Sequence, residues 1–161
     1  MKIAPSIAAL SWIALLGCAT EKAATTAPAT KTYEVALSPG AEPSPCQGAG
    51  AGAAGTATIV VAPDRSSIAA TVNYSGLSGD PTSAHIHFGP AGVAGPVVLP
   101  FAAPLSSPFS RTFTSADYVP AAGAPPDWAA FVNALEAGST YVNVHTAACK
   151  PGEIRGQLAK K

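Results

Sequence analysis

The sequence predicts an all-β protein: an antiparallel Greek-key sandwich or barrel of about eight strands with one short helix. Three observations predict it. Short runs rich in Val, Ile, Thr, Tyr and Phe recur along the chain. Glycine and proline, 15 and 16 of the 161 residues, punctuate those runs as turns. Apolar residues make up 48% and charged residues 11%, which is too apolar for a disordered chain and too poor in charge for a coiled coil. A chain of this length builds one core.

The first strand is expected over residues 32–37, where apolar and polar side chains alternate. A β-branched run, 56–62, ends at the turn pair Pro63-Asp64, and a second run, 67–74, ends at Ser75-Gly76, so the two form a hairpin. Residues 84–88, Ala-His-Ile-His-Phe, alternate strictly and stop at Gly89-Pro90. Residues 96–99 are flanked by prolines, which places them at a sheet edge. The runs 108–113, 140–146 and 153–158 complete the set. One segment has the helical period instead: Trp128, Phe131, Val132 and Leu135. Pro125-Pro126 precede it, Asp127 favours its first turn and Gly138 can close it, so a helix is expected over 127–137, packed over an open end of the sandwich. Residues 47–55, glycine alternating with alanine, read as a flexible loop.

The N-terminus reads as an address. Met1-Lys2 precede an apolar stretch from Ile3 to Leu16 that is too short to span a bilayer as a helix. Leu15-Leu16-Gly17-Cys18 resembles the bacterial lipobox, whose cysteine becomes the lipid-modified N-terminus. On that reading residues 1–17 are a signal peptide and Cys18 is the lipidation site. Residues 18–31 are then a tether and 32–161 the folded domain. The protein is expected in the cell envelope, anchored to a lipid membrane in the periplasm or at the cell surface. Cys46 and Cys149 remain, and two cysteines in an exported domain are most simply a disulfide.

Lys+Arg and Asp+Glu are nine each, so the net charge is zero, and no basic cluster exists to bind nucleic acid. No phosphate-cradling or nucleophile-elbow motif is present, and no serine, histidine and acid fall at a defensible spacing, so a catalytic set is not expected. Gly89, Gly92 and Gly95, with Pro90 and Pro96, read as a rigid turn; no helix follows to make it an anion site.

The three histidines of the chain all lie in two strand motifs. His85 and His87 are two apart and leave one face of their strand, while Tyr141, Asn143 and His145 share a face of another. Ile86, Phe88, Val142 and Val144 then point into the core. If the two strands are neighbours, three imidazoles converge, and three imidazoles with an open position suit copper or zinc. Otherwise the rings serve only to hydrogen-bond the strand ends. Asn143, Glu153 and Arg155 are the expected supporting residues. Asn143 is expected to bond backbone. Glu153 and Arg155 are expected to face the same way and to form a surface pair or bind a neighbouring loop, and further to orient the loop of Gly152 or to sit beside His145.

Three stretches together resemble the CHRD domain, the module named after chordin: residues 84–99, 141–147 and 151–158, with Ser75-Gly-Leu-Ser-Gly79 upstream. The resemblance covers residues 32–159. It implies an exported single-domain protein, as bacterial members often are; in animals the domain occurs in an extracellular antagonist of growth factors, a partner that does not carry over to this chain. Cys149-Lys150 stand where the family usually shows small or turn residues. His-Ile-His-Phe-Gly and Tyr-Val-Asn-Val-His are also similar to the copper-ligand strands of copper–zinc superoxide dismutase. That likeness implies His85, His87 and His145 as copper ligands and Arg155 as a guiding cation. The chain has no fourth histidine, so the bridging ligand and the zinc-loop histidines have no counterpart, and full dismutase activity is not expected. The expected function is a non-enzymatic, envelope-anchored interaction module for an unknown envelope or extracellular protein. The alternative is copper or zinc binding through the three histidines, with weak redox activity.

Overall fold

Alternation along each strand decides which face is buried, and two such faces meet to form the core. The computed structural model describes residues 28–159; the expected signal peptide, Cys18 and most of the tether lie outside them. Eight strands form: β1 (Lys31–Leu37), β2 (Ala54–Val61), β3 (Ser67–Ser75), β4 (Pro81–Phe88), β5 (Val97–Pro100), β6 (Phe109–Thr114), β7 (Thr140–Thr146) and β8 (Ile154–Gln157), with one α-helix, α1 (Trp128–Glu136), between β6 and β7. They make two four-stranded antiparallel sheets, in the orders β1-β2-β3-β6 and β5-β4-β7-β8. The all-β sandwich read from the sequence is the fold observed. The chain changes sheet between β3 and β4, and each of those strands then pairs with the strand three further on, the connection of a Greek key. The proline-flanked strand β5 is an edge, as its sequence predicts.

Val35, Ile59, Ile68 and Val72 of one sheet face Ala84, Ile86, Val142 and Val144 of the other, all buried. Phe101 sits edge-on to both Phe109 and Phe113, at 5.1 Å each, and fills the end between the sheets. The helix adds Phe131, Val132 and Leu135 to the same core. Asp127 caps it by accepting from the Ala130 N–H at 2.8 Å, and the Trp128 indole N–H donates to the Arg65 carbonyl at 2.8 Å.

At the opposite seam the two sheets approach each other directly. Ser38, just after β1, bridges to Arg155 of β8. Gly156 permits this closeness: a Cβ there would lie 2.3 Å from the Ala36 carbonyl oxygen. Cys46 and Cys149 form a disulfide with a Cα–Cα distance of 5.7 Å across a sequence separation of 103. It joins the β1–β2 connection to the β7–β8 connection. Closing so long a loop stabilises by about 4–5 kcal/mol on the chain-entropy account.

Two details differ from the sequence reading. Ala54 and Gly55 belong to β2, and Gly50 lies so close to the turn after β3 that a Cβ would be 1.9 Å from the Gly76 carbonyl oxygen. The glycine–alanine stretch thus packs through its backbone, which composition alone does not reveal. Strand β8 begins after Glu153 and ends before Leu158, so Glu153 falls outside the alternation assumed for it. Among the described residues no helix is long and apolar enough to cross a membrane.

Candidate metal centre

Strands β4 and β7 are direct neighbours, with His85 opposite Asn143, His87 opposite Tyr141 and Ser83 opposite His145. Because Ala84, Ile86, Val142 and Val144 take the core side, period two sends all three imidazoles to the outer face of the sheet. There the connections between strands cover them: His87 and His145 are buried and His85 is half-buried. One nitrogen from each ring lies within 4.8 Å of the others, and His85 Nδ1 is 3.0 Å from His145 Nε2.

The surroundings decide which nitrogen of each ring is free. His87 Nδ1 lies 2.9 Å from the Gly95 carbonyl oxygen, and His145 Nδ1 lies 2.9 Å from that of Lys150. A carbonyl oxygen only accepts, so in each ring Nδ1 carries the proton and Nε2 keeps a lone pair. His87 Nε2 is buried and has no hydrogen-bond partner. Since His145 Nε2 is unprotonated, His85 Nδ1 donates to it as the rings stand. Carbonyl oxygens bonded to the far nitrogen are also what orients metal-bound imidazoles. Burial holds the His85 and His87 imidazoles down at about 4; neighbouring imidazoles add to it at both, and the Gly95 carbonyl opposes it at His87. Burial also lowers His145, against the Lys150 carbonyl. All three rings are therefore neutral at physiological pH, the form that ligates metals.

Supporting groups hold the rings in place. The Tyr141 ring stacks on His87 at 4.7 Å with an interplanar angle of 6°, and its hydroxyl accepts from the Gly95 N–H at 3.0 Å. On the β8 side of Tyr141 the Arg155 guanidinium lies 3.3 Å above the ring. Arg155 also donates to the Val93 and Pro90 carbonyls at 3.0 and 2.9 Å. These contacts hold the glycine–proline turn whose Gly95 carbonyl orients His87.

Of the three supporting residues named from the sequence, Asn143 departs from expectation, while Glu153 and Arg155 bind neighbouring loops and form no surface pair. Asn143 donates not to backbone but to Glu42 Oε1, at 2.8 Å. Burial drives the Glu42 carboxyl up to about 7, against Arg155 and Asn143, which favour its ionised form. Gly152 completes this corner with φ of +143°; a Cβ there would lie 2.4 Å from both Asn143 Nδ2 and Glu42 Oε1. Glu153 and Arg155 are 0% and 1% exposed, so they are no surface pair. Nor do they meet: Glu153 accepts from the N–H groups of Gly50 and Ser78, at 2.9 and 2.7 Å, and from the Ser78 and Thr146 hydroxyls, at 2.5 Å each. It touches none of the imidazoles. Arg155 is too enclosed, and too fully bonded to carbonyls, to guide an incoming ion.

Sequence reasoning missed Glu42 and the carbonyls of Gly95 and Lys150. Tyr141 carried a signal, since alternation had already put it on the histidine face. Glu42 carried none: it meets Asn143 across a sequence separation of 101.

Fold and site together define a class: a small β-sandwich module with a three-histidine cluster beneath its loops. The chain belongs to the CHRD domain family, whose model matches residues 26–158. No curated protein and no solved structure matches it significantly. The likeness to copper–zinc dismutase therefore rests on the residues of the two histidine strands alone.

Proposed function

We propose that this CHRD module is a non-enzymatic binding protein of the cell envelope whose ligand is a copper or zinc ion held by His85, His87 and His145. One observation carries this reading. Two of the three rings have Nδ1 turned onto a carbonyl, which leaves Nε2 of each unprotonated, and the third ring meets one of those atoms at 3.0 Å. A merely structural histidine has both nitrogens in use or exposed to water; His87 Nε2 has neither. The donors would be the Nε2 atoms of His87 and His145 and, once its proton has moved to Nε2, His85 Nδ1, and the ion would supply an open coordination position.

Calorimetric titration of the purified protein with Cu(II) and with Zn(II) tests this. One equivalent of at least one ion is expected to bind tighter than about 10 µM, and His85→Ala with His145→Ala to weaken it at least about 100-fold. Absence of such binding, or equal binding by the double variant, overturns the metal reading.

The resemblance of Leu15-Leu16-Gly17-Cys18 to a lipobox supports the envelope address. Stable anchoring needs more than one acyl chain, which lipoprotein processing at a single cysteine supplies. Cys18→Ala is expected to move the protein from the membrane pellet to the soluble fraction of lysed cells; unchanged pelleting rules the anchor out.

A further inference from the structure

We infer that the three-histidine centre is built to favour Cu(I) over Cu(II) and Zn(II); this rests on the metal reading above. The observation behind it is a buried cation that no carboxylate contacts directly. Buried guanidinium groups are ordinarily paired with a carboxylate. Arg155 is 1% exposed, yet among the described residues no carboxylate lies within ion-pair distance of it. Its bonds go to the Pro90 and Val93 carbonyls and, at 3.4 Å, to the side-chain oxygen of Gln157. Glu42, whose field reaches Arg155, bonds Asn143 instead.

That charge lies next to the ligand set. Strand order places β7 between β4 and β8, so Arg155, Tyr141 and His87 form a row, with 3.3 Å from guanidinium to ring and 4.7 Å from ring to imidazole. The ligands themselves are neutral, and the cluster includes no cysteine or acid. A fixed positive charge repels a divalent ion twice as strongly as a monovalent one. At a distance of order 10 Å and an effective dielectric of about 20, one unit of charge changes the Cu(I):Cu(II) affinity ratio by about tenfold.

The test measures Cu(I) affinity of the full chain against bicinchoninate under anaerobic ascorbate, Cu(II) affinity against glycine in air, and Zn(II) displacement by Cu(I). Wild-type protein is expected to release Zn(II) to Cu(I), and its bound copper to have a potential above that of the aqueous couple. Arg155→Gln is expected to lower the Cu(I):Cu(II) ratio about tenfold, about 59 mV for one electron, while Arg155→Lys keeps it. Should Arg155→Gln fail to fold, the wild-type potential and zinc displacement decide alone. A potential at or below the aqueous couple, retention of Zn(II), or an unchanged ratio in folded, copper-binding Arg155→Gln overturns the preference. Failure of the wild type to bind any of the three ions overturns the metal centre itself.

Discussion

Replacing Glu153 with alanine is expected to destabilise the fold by about 3–5 kcal/mol, measured as a drop in the urea midpoint at unchanged slope. The size follows from what the carboxylate holds. It is fully buried and accepts from four donors on three separate segments: Gly50 of the glycine–alanine connection, Ser78 of the β3–β4 turn, and Thr146 at the end of β7. Burial pushes this carboxyl up, and the N–H groups of Gly50 and Ser78 with the Ser78 and Thr146 hydroxyls outweigh it, so its net shift is downward. A depressed carboxyl stabilises at pH above its unfolded value near 4.5, and that stability is lost as pH falls through the folded value. Alanine leaves the Gly50 and Ser78 N–H groups, whose bonds are part-buried, without their acceptor and opens a void where the carboxylate stood. Glutamine keeps one oxygen for the two N–H groups and turns its amide to hydroxyls that can accept, so Glu153→Gln is expected to cost about half as much. An alanine variant within about 1 kcal/mol of wild type would show that the three segments hold together without it.

The misreading of Glu153 shows where sequence reasoning stops. Every strand was legible because its buried face is apolar and alternation is a local property of extended backbone. The His85–His87 pair was legible for the same reason. Their meeting with His145 depended on β4 and β7 being neighbours, a non-local fact that the spacing permits but does not require. The same rule applied to Glu153 and Arg155 gave two readings, a surface pair or contacts to a neighbouring loop; the loop contacts form and the pair does not. The surface pair fails because β8 begins at Ile154 and Glu153 stands at a bend, although its N–H still donates to the Val144 carbonyl of β7 at 2.8 Å. Charged residues also read as surface by default, since few are buried. Here their partners are backbone groups, which leave no trace in a sequence. The glycine–alanine stretch escaped for the complementary reason: its packing is backbone against backbone, and small residues that allow close approach look the same in sequence as residues that allow mobility.

A second large effect is expected from acid. Ion-free protein should lose stability as pH falls from about 6.5 to about 4, and Glu42→Gln should make that loss steeper. Above 6.5 the imidazoles are neutral in both the folded and the unfolded chain and contribute nothing to the pH dependence. Between 6.5 and 4 the unfolded chain takes up protons that His85 and His87, held down at about 4 chiefly by burial, refuse in the fold. Unfolding is favoured increasingly over that window, by about 2 kcal/mol per imidazole at its lower end once solvent screening is allowed for. His145 shifts in the same direction. Glu42 opposes them. Its carboxyl, raised by burial to about 7, binds a proton in the fold that the unfolded chain releases above about 4.5. The stabilisation it brings is full below 4.5 and lost as pH rises through 7. Wild type therefore shows the difference of two opposed slopes, and Glu42→Gln removes the one that shields the fold from acid while still accepting from Asn143. Urea midpoints for both proteins between pH 4 and 8 check this; parallel curves would mean that Glu42 is ionised in the fold throughout. The same linkage bears on the metal. An ion competes with protons only for neutral rings, so one equivalent of a bound ion is expected to raise the midpoint at pH 5 nearly as much as at pH 7. A rise at pH 5 less than half that at pH 7 would place the effective proton affinity of the three rings well above 4.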